Sequence, residues 1–291
     1  MKSGKIIKGY ASFYYVKIDG QLLECKLRGK LRLSQTQILV GDEVTVEIKG
    51  GKGTIKDILP RTSELVRPAI ANVDLALIVF SFAQPDPVFE LLDRILLAVE
   101  YAGIKPLVVF TKADLADDVV LNRLQAYRDA GYEIIITSIK QGLGISEILE
   151  HLDNKTSVIA GPSGAGKSTL LNALQPGLTL KTGEVSSKIG RGKHTTRHVE
   201  LIPFLNNGYV ADTPGFSVIY LPDMKPVELA KYFQEFQLYF GNCRFAGCLH
   251  QTEPQCAVRD AVDNGLVDQG RYERYLNFLQ QLMEKERTYY D

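Results

Sequence analysis

Gly161, Pro162, Ser163, Gly164, Ala165, Gly166, Lys167 and Ser168 match the pattern G-x-x-x-x-G-K-[ST] at every fixed position. Residues of these types at this spacing bind phosphate. The glycines let backbone N–H groups turn inward, the lysine places a cation on the β- and γ-phosphates, and the serine hydroxyl ligates Mg²⁺. An apolar run precedes the loop at residues 157–160, and a helical pattern follows it from Thr169. The helix N-terminus that results favours the same anion through its dipole. The loop predicts a nucleotide and does not choose its base. A second cluster, Cys243, Cys248, His250 and Cys256, offers three thiolates and an imidazole within one short segment. Such a set suits one closed tetrahedral Zn²⁺ site with a structural role. The remaining cysteine, Cys25, reads as a small core residue.

The base is addressed by Thr111, Lys112, Ala113 and Asp114, which follow an apolar run and match [NT]-K-x-D. One carboxylate at a strand end can accept from guanine N1–H and from the exocyclic amine. Adenine offers no such donor pair, and an acceptor left unpaired discriminates strongly. The lysine stem can cover the base plane. Ser138, Ile139 and Lys140 follow another apolar run and fit a second base-contacting loop, with isoleucine where alanine is usual. Downstream, the segment from Asp212 to Gly215 reads D-x-x-G. Asp212 would hold Mg²⁺ through water, and the Gly215 N–H would meet the γ-phosphate. The segment GKHTT, ending at Thr196, supplies the Mg²⁺ ligand of a first switch loop. Thr195 and Thr169 complete the expected nucleotide contacts. Ras-like enzymes orient the attacking water with a glutamine just after D-x-x-G. Here that residue is Phe216, and a phenyl ring cannot do this work. His194 is the nearest candidate in sequence, and with Lys167 and Thr196 it makes up the predicted catalytic set.

The elements that must position these residues fall into three segments. Residues 1–62 show short alternating runs at 10–18, 22–27, 43–48 and 53–59, separated by turn signals such as Asp19-Gly20. This predicts a small OB-like β-barrel. Residues 63–220 carry continuous apolar runs at 75–82, 106–110, 134–136 and 158–159, alternating with helical patterns at 91–102 and 119–130. Strands buried on both faces read this way, so an α/β domain with a mostly parallel sheet is expected. Asn207-Gly208 predicts a hairpin turn. Residues 221–291 look mostly helical around the cysteine loop, with an apolar stripe of Tyr272, Tyr275, Leu276, Leu279, Leu282 and Met283. That stripe reads as a helix packed on its own domain, with a partner-binding helix as the alternative.

The chain has 291 residues, of which 45% are apolar, and a formal net charge of +0. The balance is uneven, because residues 1–62 hold twelve Lys or Arg against six Asp or Glu. A basic end on a neutral chain suits a polyanionic partner, although a solvated basic face would look the same. No apolar run reaches the ~18 residues that span a bilayer, and the first ten residues do not resemble a signal peptide. No membrane association and a cytoplasmic location are expected.

The order of the motifs is base, base, phosphate, switch one, switch two, whereas the usual order places the phosphate loop first. In this order, with an OB-like start and a Cys₃His cluster at the end, the chain resembles the circularly permuted ribosome-biogenesis GTPases. Within that family it is most similar to those that depend on the small subunit, and the likeness covers nearly the whole chain. The resemblance implies a multidomain α/β protein: barrel at 1–62, circularly permuted P-loop GTPase domain at 63–220, zinc-binding helical domain at 221–291. It implies GTP hydrolysis stimulated by the small (30S) ribosomal subunit, binding to that subunit and its rRNA, and a role in its late maturation. GTP or GDP, Mg²⁺ and one structural Zn²⁺ are the implied cofactors, and a monomer is expected. Two alternatives stand beside it: a P-loop ATPase, against which Asp114 argues, and a non-catalytic RNA-binding protein liganded by GTP, which Phe216 keeps open.

Overall fold

The computed structural model describes residues 1–10, 12–29, 37–178, 199–212 and 220–290. The N-terminal strands are β1 (Lys2–Tyr10), β2 (Phe13–Ile18), β3 (Gln21–Leu27), β4 (Glu43–Lys49) and β5 (Lys52–Ile58). β1 pairs with β2 and β4, β2 with β3, β3 with β5 and β5 with β4, which closes a five-stranded barrel. Inward residues alternate, as a half-buried strand requires. Ile6, Val16, Ile18, Cys25, Val44, Val46 and Ile55 fill the interior. The single strand expected at 10–18 is corrected: Tyr10 ends β1, and β2 starts at Phe13.

The second body is a sheet of β8 (Leu75–Ser81), β9 (Lys105–Thr111), β10 (Ile134–Ile136), β11 (Thr156–Ala160), β12 (Glu200–Phe204) and β13 (Gly208–Asp212). Its order is β10-β9-β8-β11-β13-β12, parallel except for β12. Every residue of β8 is buried, with alternate side chains feeding two cores. Ala76, Ile78 and Phe80 face α1 (Phe89–Tyr101) and α2 (Asp118–Asp129). Leu75, Leu77 and Val79 share a core with residues of α3 (Ile145–Leu152) and α4 (Lys167–Leu174). This doubly wound arrangement leaves a crevice beyond the carboxyl ends of the strands. A short ribbon, β6 (Glu64–Val66) with β7 (Ala69–Ala71), joins the barrel to β8.

β1 also pairs with β12 at Lys8 and Glu200, so the barrel and the parallel sheet form one continuous sheet. A register shift between Ile6 and Lys8 marks a bulge. The extra residue re-aims one side chain. Ile6 stays in the barrel core, and Ile7 enters the core beneath α1.

The C-terminal lobe has 3₁₀ turns at Pro226–Tyr232 and Gln234–Tyr239, then α5 (Ala257–Asp263) and α6 (Gln269–Tyr290). It is less regularly helical than its sequence suggests, since the cysteine loop between Tyr239 and Ala257 has no regular element. The apolar stripe of α6 packs on its own lobe: Tyr272, Tyr275, Phe278, Leu279 and Leu282 are buried there, with Leu97 of α1. At the junction with α1, Arg271 is buried against carboxylates from two segments. It donates to Asp93 at 2.5 Å and to Glu235 at 2.6 and 2.9 Å.

Candidate functional site

The phosphate loop leaves the end of β11 and enters α4 at Lys167. Its geometry depends on glycine. Gly161 has φ +132°, and a Cβ there would lie 2.0 Å from the Val79 carbonyl oxygen. Gly164 and Gly166 are also left-handed, at φ +81° and +87°. Lys167 turns back over the loop and donates to the carbonyls of Gly161, at 2.9 Å, and Pro162, at 2.7 Å. Burial lowers the pKa of its ammonium. An anion in the loop would compensate that desolvation. Pro162, Ser163 and Ala165 complete the turn, and Ser168 and Thr169 lie in the first turn of α4.

The base-reading residues sit at the end of β9, across β8 from the phosphate loop. Asp114 accepts from Ser138 Oγ at 3.1 Å and from Lys140 Nζ at 2.9 Å. The Lys140 hydrogen bond is the main reason its carboxyl is held below the usual range. An ionised acceptor is therefore presented at the crevice. The Ala113 N–H donates to the Thr137 carbonyl at 3.1 Å, which ties the loop to the segment after β10. Ile139, the departure from the usual alanine, packs against the core around α3 and α4. Thr111 is buried, with its hydroxyl 2.7 Å from the Ala165 carbonyl oxygen. The base loop and the phosphate loop thus touch directly.

Of the switch residues, Asp212 ends β13. His194, Thr195, Thr196, Gly215 and Phe216 lie outside the described residues. Among the Mg²⁺ ligands expected from sequence, Ser168 alone has a described side chain.

The second cluster assembles as its spacing suggests. One ligand atom from each of Cys243, Cys248, His250 and Cys256 lies within 4.8 Å of the others. His250 Nδ1 is 3.6 Å from Cys243 Sγ and 3.3 Å from Cys256 Sγ, and the two sulfurs are 4.0 Å apart. A tetrahedral site with Zn–S of ~2.3 Å and Zn–N of ~2.0 Å has edges of about 3.5–3.8 Å. The donor set therefore fits Zn²⁺. Burial pushes the Cys248 thiol up to about 12 and lowers His250. Thiolates here need a compensating cation, and the imidazole is held in its neutral, ligating form. Sequence reasoning missed what shapes this loop. Glu253 accepts from the N–H groups of Leu249, Gln251 and Thr252 at 2.7, 2.8 and 3.0 Å. Burial opposes its charge, yet these bonds keep its pKa lowered. From α6, the hydroxyls of Tyr272 and Tyr275 donate to the carbonyls of His250 and Leu249 at 2.6 and 2.8 Å. An E-P pair three residues after a candidate histidine was the only available hint.

Comparison with known proteins agrees with this geometry. Residues 58–222 match the family model described as RsgA GTPase, and residues 3–55 match the RsgA N-terminal domain. The chain is 47% identical to a small ribosomal subunit biogenesis GTPase RsgA of Moorella thermoacetica, over 98% of this chain and 99% of the relative. It is 46% identical to the protein of that name in Geobacillus thermodenitrificans, over 99% of this chain and 100% of the relative. Among solved structures, YjeQ from Thermotoga maritima superposes with a TM-score of 0.83 at 36% identity, covering 97% of this chain and 98% of that one. YloQ, described as a circularly permuted GTPase, gives 0.82 at 38% identity, covering 98% and 96%. The phosphate loop thus follows the base-reading loops here in a fold already seen in that order, and this chain belongs to the RsgA GTPase family.

Proposed function

We propose that this protein hydrolyses GTP, binds the small ribosomal subunit through its rRNA, and assists late maturation of that subunit, which in turn stimulates hydrolysis. The observation that carries the reading is Asp114. Its carboxylate, paired with Lys140 and Ser138, stands one strand away from a complete phosphate loop. The names of the relatives support the ribosomal part. Working as a cytoplasmic monomer, the chain would divide into a barrel at 1–62, a nucleotide domain at 63–220 and a zinc domain at 221–291.

In this reading Lys112, Asp114, Ser138 and Lys140 hold the base, and residues 161–169 hold the phosphates. Ser168, Thr196 and Asp212 would ligate Mg²⁺, whose charge would neutralise the developing charge on the phosphoryl oxygens. Lys167 supplies a fixed cation to the same oxygens. His194 orients the attacking water in place of the missing glutamine, with Thr195, Thr196 and Gly215 closing on the γ-phosphate. Cys243, Cys248, His250 and Cys256 hold one structural Zn²⁺. The RNA-facing side of the barrel is the outer face of β1–β3. There Lys8 lies over the Tyr15 ring at 5.1 Å and Lys26 over the Phe13 ring at 4.9 Å. Cations interleaved with aromatic rings suit stacked bases and phosphates.

The test is GTP turnover measured alone and with each isolated ribosomal subunit. Acceleration by the small subunit only is the expected result. Binding without turnover in any condition would favour the non-catalytic reading that Phe216 suggests, and equal use of ATP would overturn the guanine assignment.

A further inference from the structure

Residues 81–85, which run on from the last residue of β8, belong to none of the nucleotide motifs, yet they touch two of them. Lys112 has left-handed backbone, at φ +59°. Its ammonium donates to the carbonyls of Gln84, of Ala83 at 3.3 Å and of Gly164 at 3.2 Å. One side chain of the base loop therefore grips both this segment and the phosphate loop. Pro85 closes the triangle from the other side. A Cβ built on Gly164 would lie 3.1 Å from Pro85 Cδ, so the ring lies over the exposed turn of the phosphate loop. The segment is fixed to its own strand and to β9: the Ser81 hydroxyl donates to the Pro85 carbonyl at 2.8 Å, and the Phe82 N–H donates to the Thr111 carbonyl at 3.1 Å. The Phe82 ring is buried against Phe110, with centroids 5.4 Å apart.

We propose that residues 81–85 act as a strap that fixes the base-reading loop and the phosphate loop at one separation. Pro85 and Ser81 are positioning residues for guanine-nucleotide retention. The inference rests on the reading of the crevice as a guanine-nucleotide site. Its physical basis is the requirement of a two-ended ligand. A nucleoside diphosphate must satisfy Asp114 at one end and the phosphate loop at the other. Binding at one end makes the second contact intramolecular, and that gain is largest when the span of the ligand matches the span of the sites. A loosened strap lets the span fluctuate while leaving each end intact. Ligands that touch both ends should therefore suffer, and ligands that touch one end should not.

The experiment uses the full chain with Pro85→Gly and Ser81→Ala. Dissociation of a fluorescent GDP analogue is followed by stopped flow, and guanosine is assayed by competition. GDP should leave Pro85→Gly about tenfold faster, and Ser81→Ala about threefold faster, as expected for one lost hydrogen bond. Guanosine affinity should stay at the wild-type value in both. With GTP, KM should rise and kcat should hold, the signature of lost uniform binding. A purely structural role would lower the melting temperature without separating GDP from guanosine. GDP dissociation at the wild-type rate in both variants overturns the proposal, as does an equal loss of guanosine. Failure of the wild-type protein to bind any guanine nucleotide would overturn the functional reading itself, and the strap with it.

Discussion

The carboxylate of Asp114 can accept from two donors at once, and an amide in its place cannot. Asp114→Asn should therefore weaken GTP and favour xanthosine triphosphate, whose base offers an acceptor where guanine has its amine. Competition between the two nucleotides measures this, and unchanged preference for GTP would remove Asp114 from the site. His194→Ala should leave nucleotide Kd near wild type and lower subunit-stimulated kcat by about 10²-fold, the scale of one lost proton-positioning group. A near-normal kcat would give the water to another group. At the metal, elemental analysis of protein purified without added metal should find one zinc per chain. Glu253→Gln should loosen it, since the glutamine carbonyl can replace only part of the set of bonds that Leu249, Gln251 and Thr252 donate. Retention of full zinc by Glu253→Gln after chelator challenge would show that the loop holds its shape without the charge. The Cys₃His cluster was legible in the sequence, and the nucleotide residues could be proposed from it, because each set is defined within a few positions. Glu253 was not, because a glutamate that accepts from its own loop looks like any solvated acid until the loop is seen to curl around it.

At the scale of elements, the runs at 75–82, 106–110, 134–136 and 158–159 were readable as buried strands, since continuous apolar sequence has few other uses. β1 was not. Lys2, Lys5 and Lys8 interrupt its apolar pattern, and the bulge at Ile7 breaks the period of two on which the reading depends. Arg271 could not be singled out for a different reason. It lies on α6 among other charged residues, yet it is 2% exposed. Its partner Asp93 lies 178 positions away, beyond any local pattern. The cluster also includes Arg274, which donates to the second Asp93 oxygen, and the rings of Tyr127, Tyr132 and Phe233 stand 4.8, 5.3 and 5.2 Å from the Arg271 guanidinium. This junction fastens the C-terminal lobe to α1. Arg271→Ala strands Glu235 and part of Asp93 without a cation in a dry site, which should cost about 3–5 kcal/mol. Urea unfolding monitored at the lobe measures it. A loss below about 1 kcal/mol would mean that water enters and replaces the ion pairs. In Arg271→Ala the lobe, which meets α1 at Leu97 and Asp93, should loosen from the nucleotide domain before that domain unfolds.

At the scale of the molecule, β1 is shared between two bodies. Its first half closes the barrel on β4, Ile7 enters the core beneath α1, and Lys8 pairs with Glu200 at the start of β12. β12 and β13 form a hairpin between the GKHTT segment and the D-x-x-G segment. A force on the barrel thus has a direct backbone route to the hairpin that lies in sequence between the two switch sequences. If the barrel docks on rRNA, a perturbation of β1 would reach the β12–β13 hairpin through this pairing. The ion pair on it, Lys8 Nζ to Glu200 Oε1 at 3.3 Å, is part exposed, and a pair of that kind contributes only ~0.2–1 kcal/mol to stability. Its value as a probe is that its sign can be inverted. Lys8→Glu alone places two like charges across the pairing. It should lower subunit-stimulated GTP turnover several-fold while basal turnover and melting temperature stay close to wild type. Lys8 also stands over the Tyr15 ring on the proposed RNA face, so the same loss could come from a missing phosphate contact. The double variant Lys8→Glu with Glu200→Lys separates the two causes. It restores attraction across β1 and β12 but not a cation at position 8. Recovery of stimulated turnover in the double variant, at unchanged subunit affinity, would assign the effect to the junction. Continued loss in the double variant, with weakened subunit binding that steepens with salt as phosphate contacts require, would assign Lys8 to RNA alone and leave the barrel without this route to the switches.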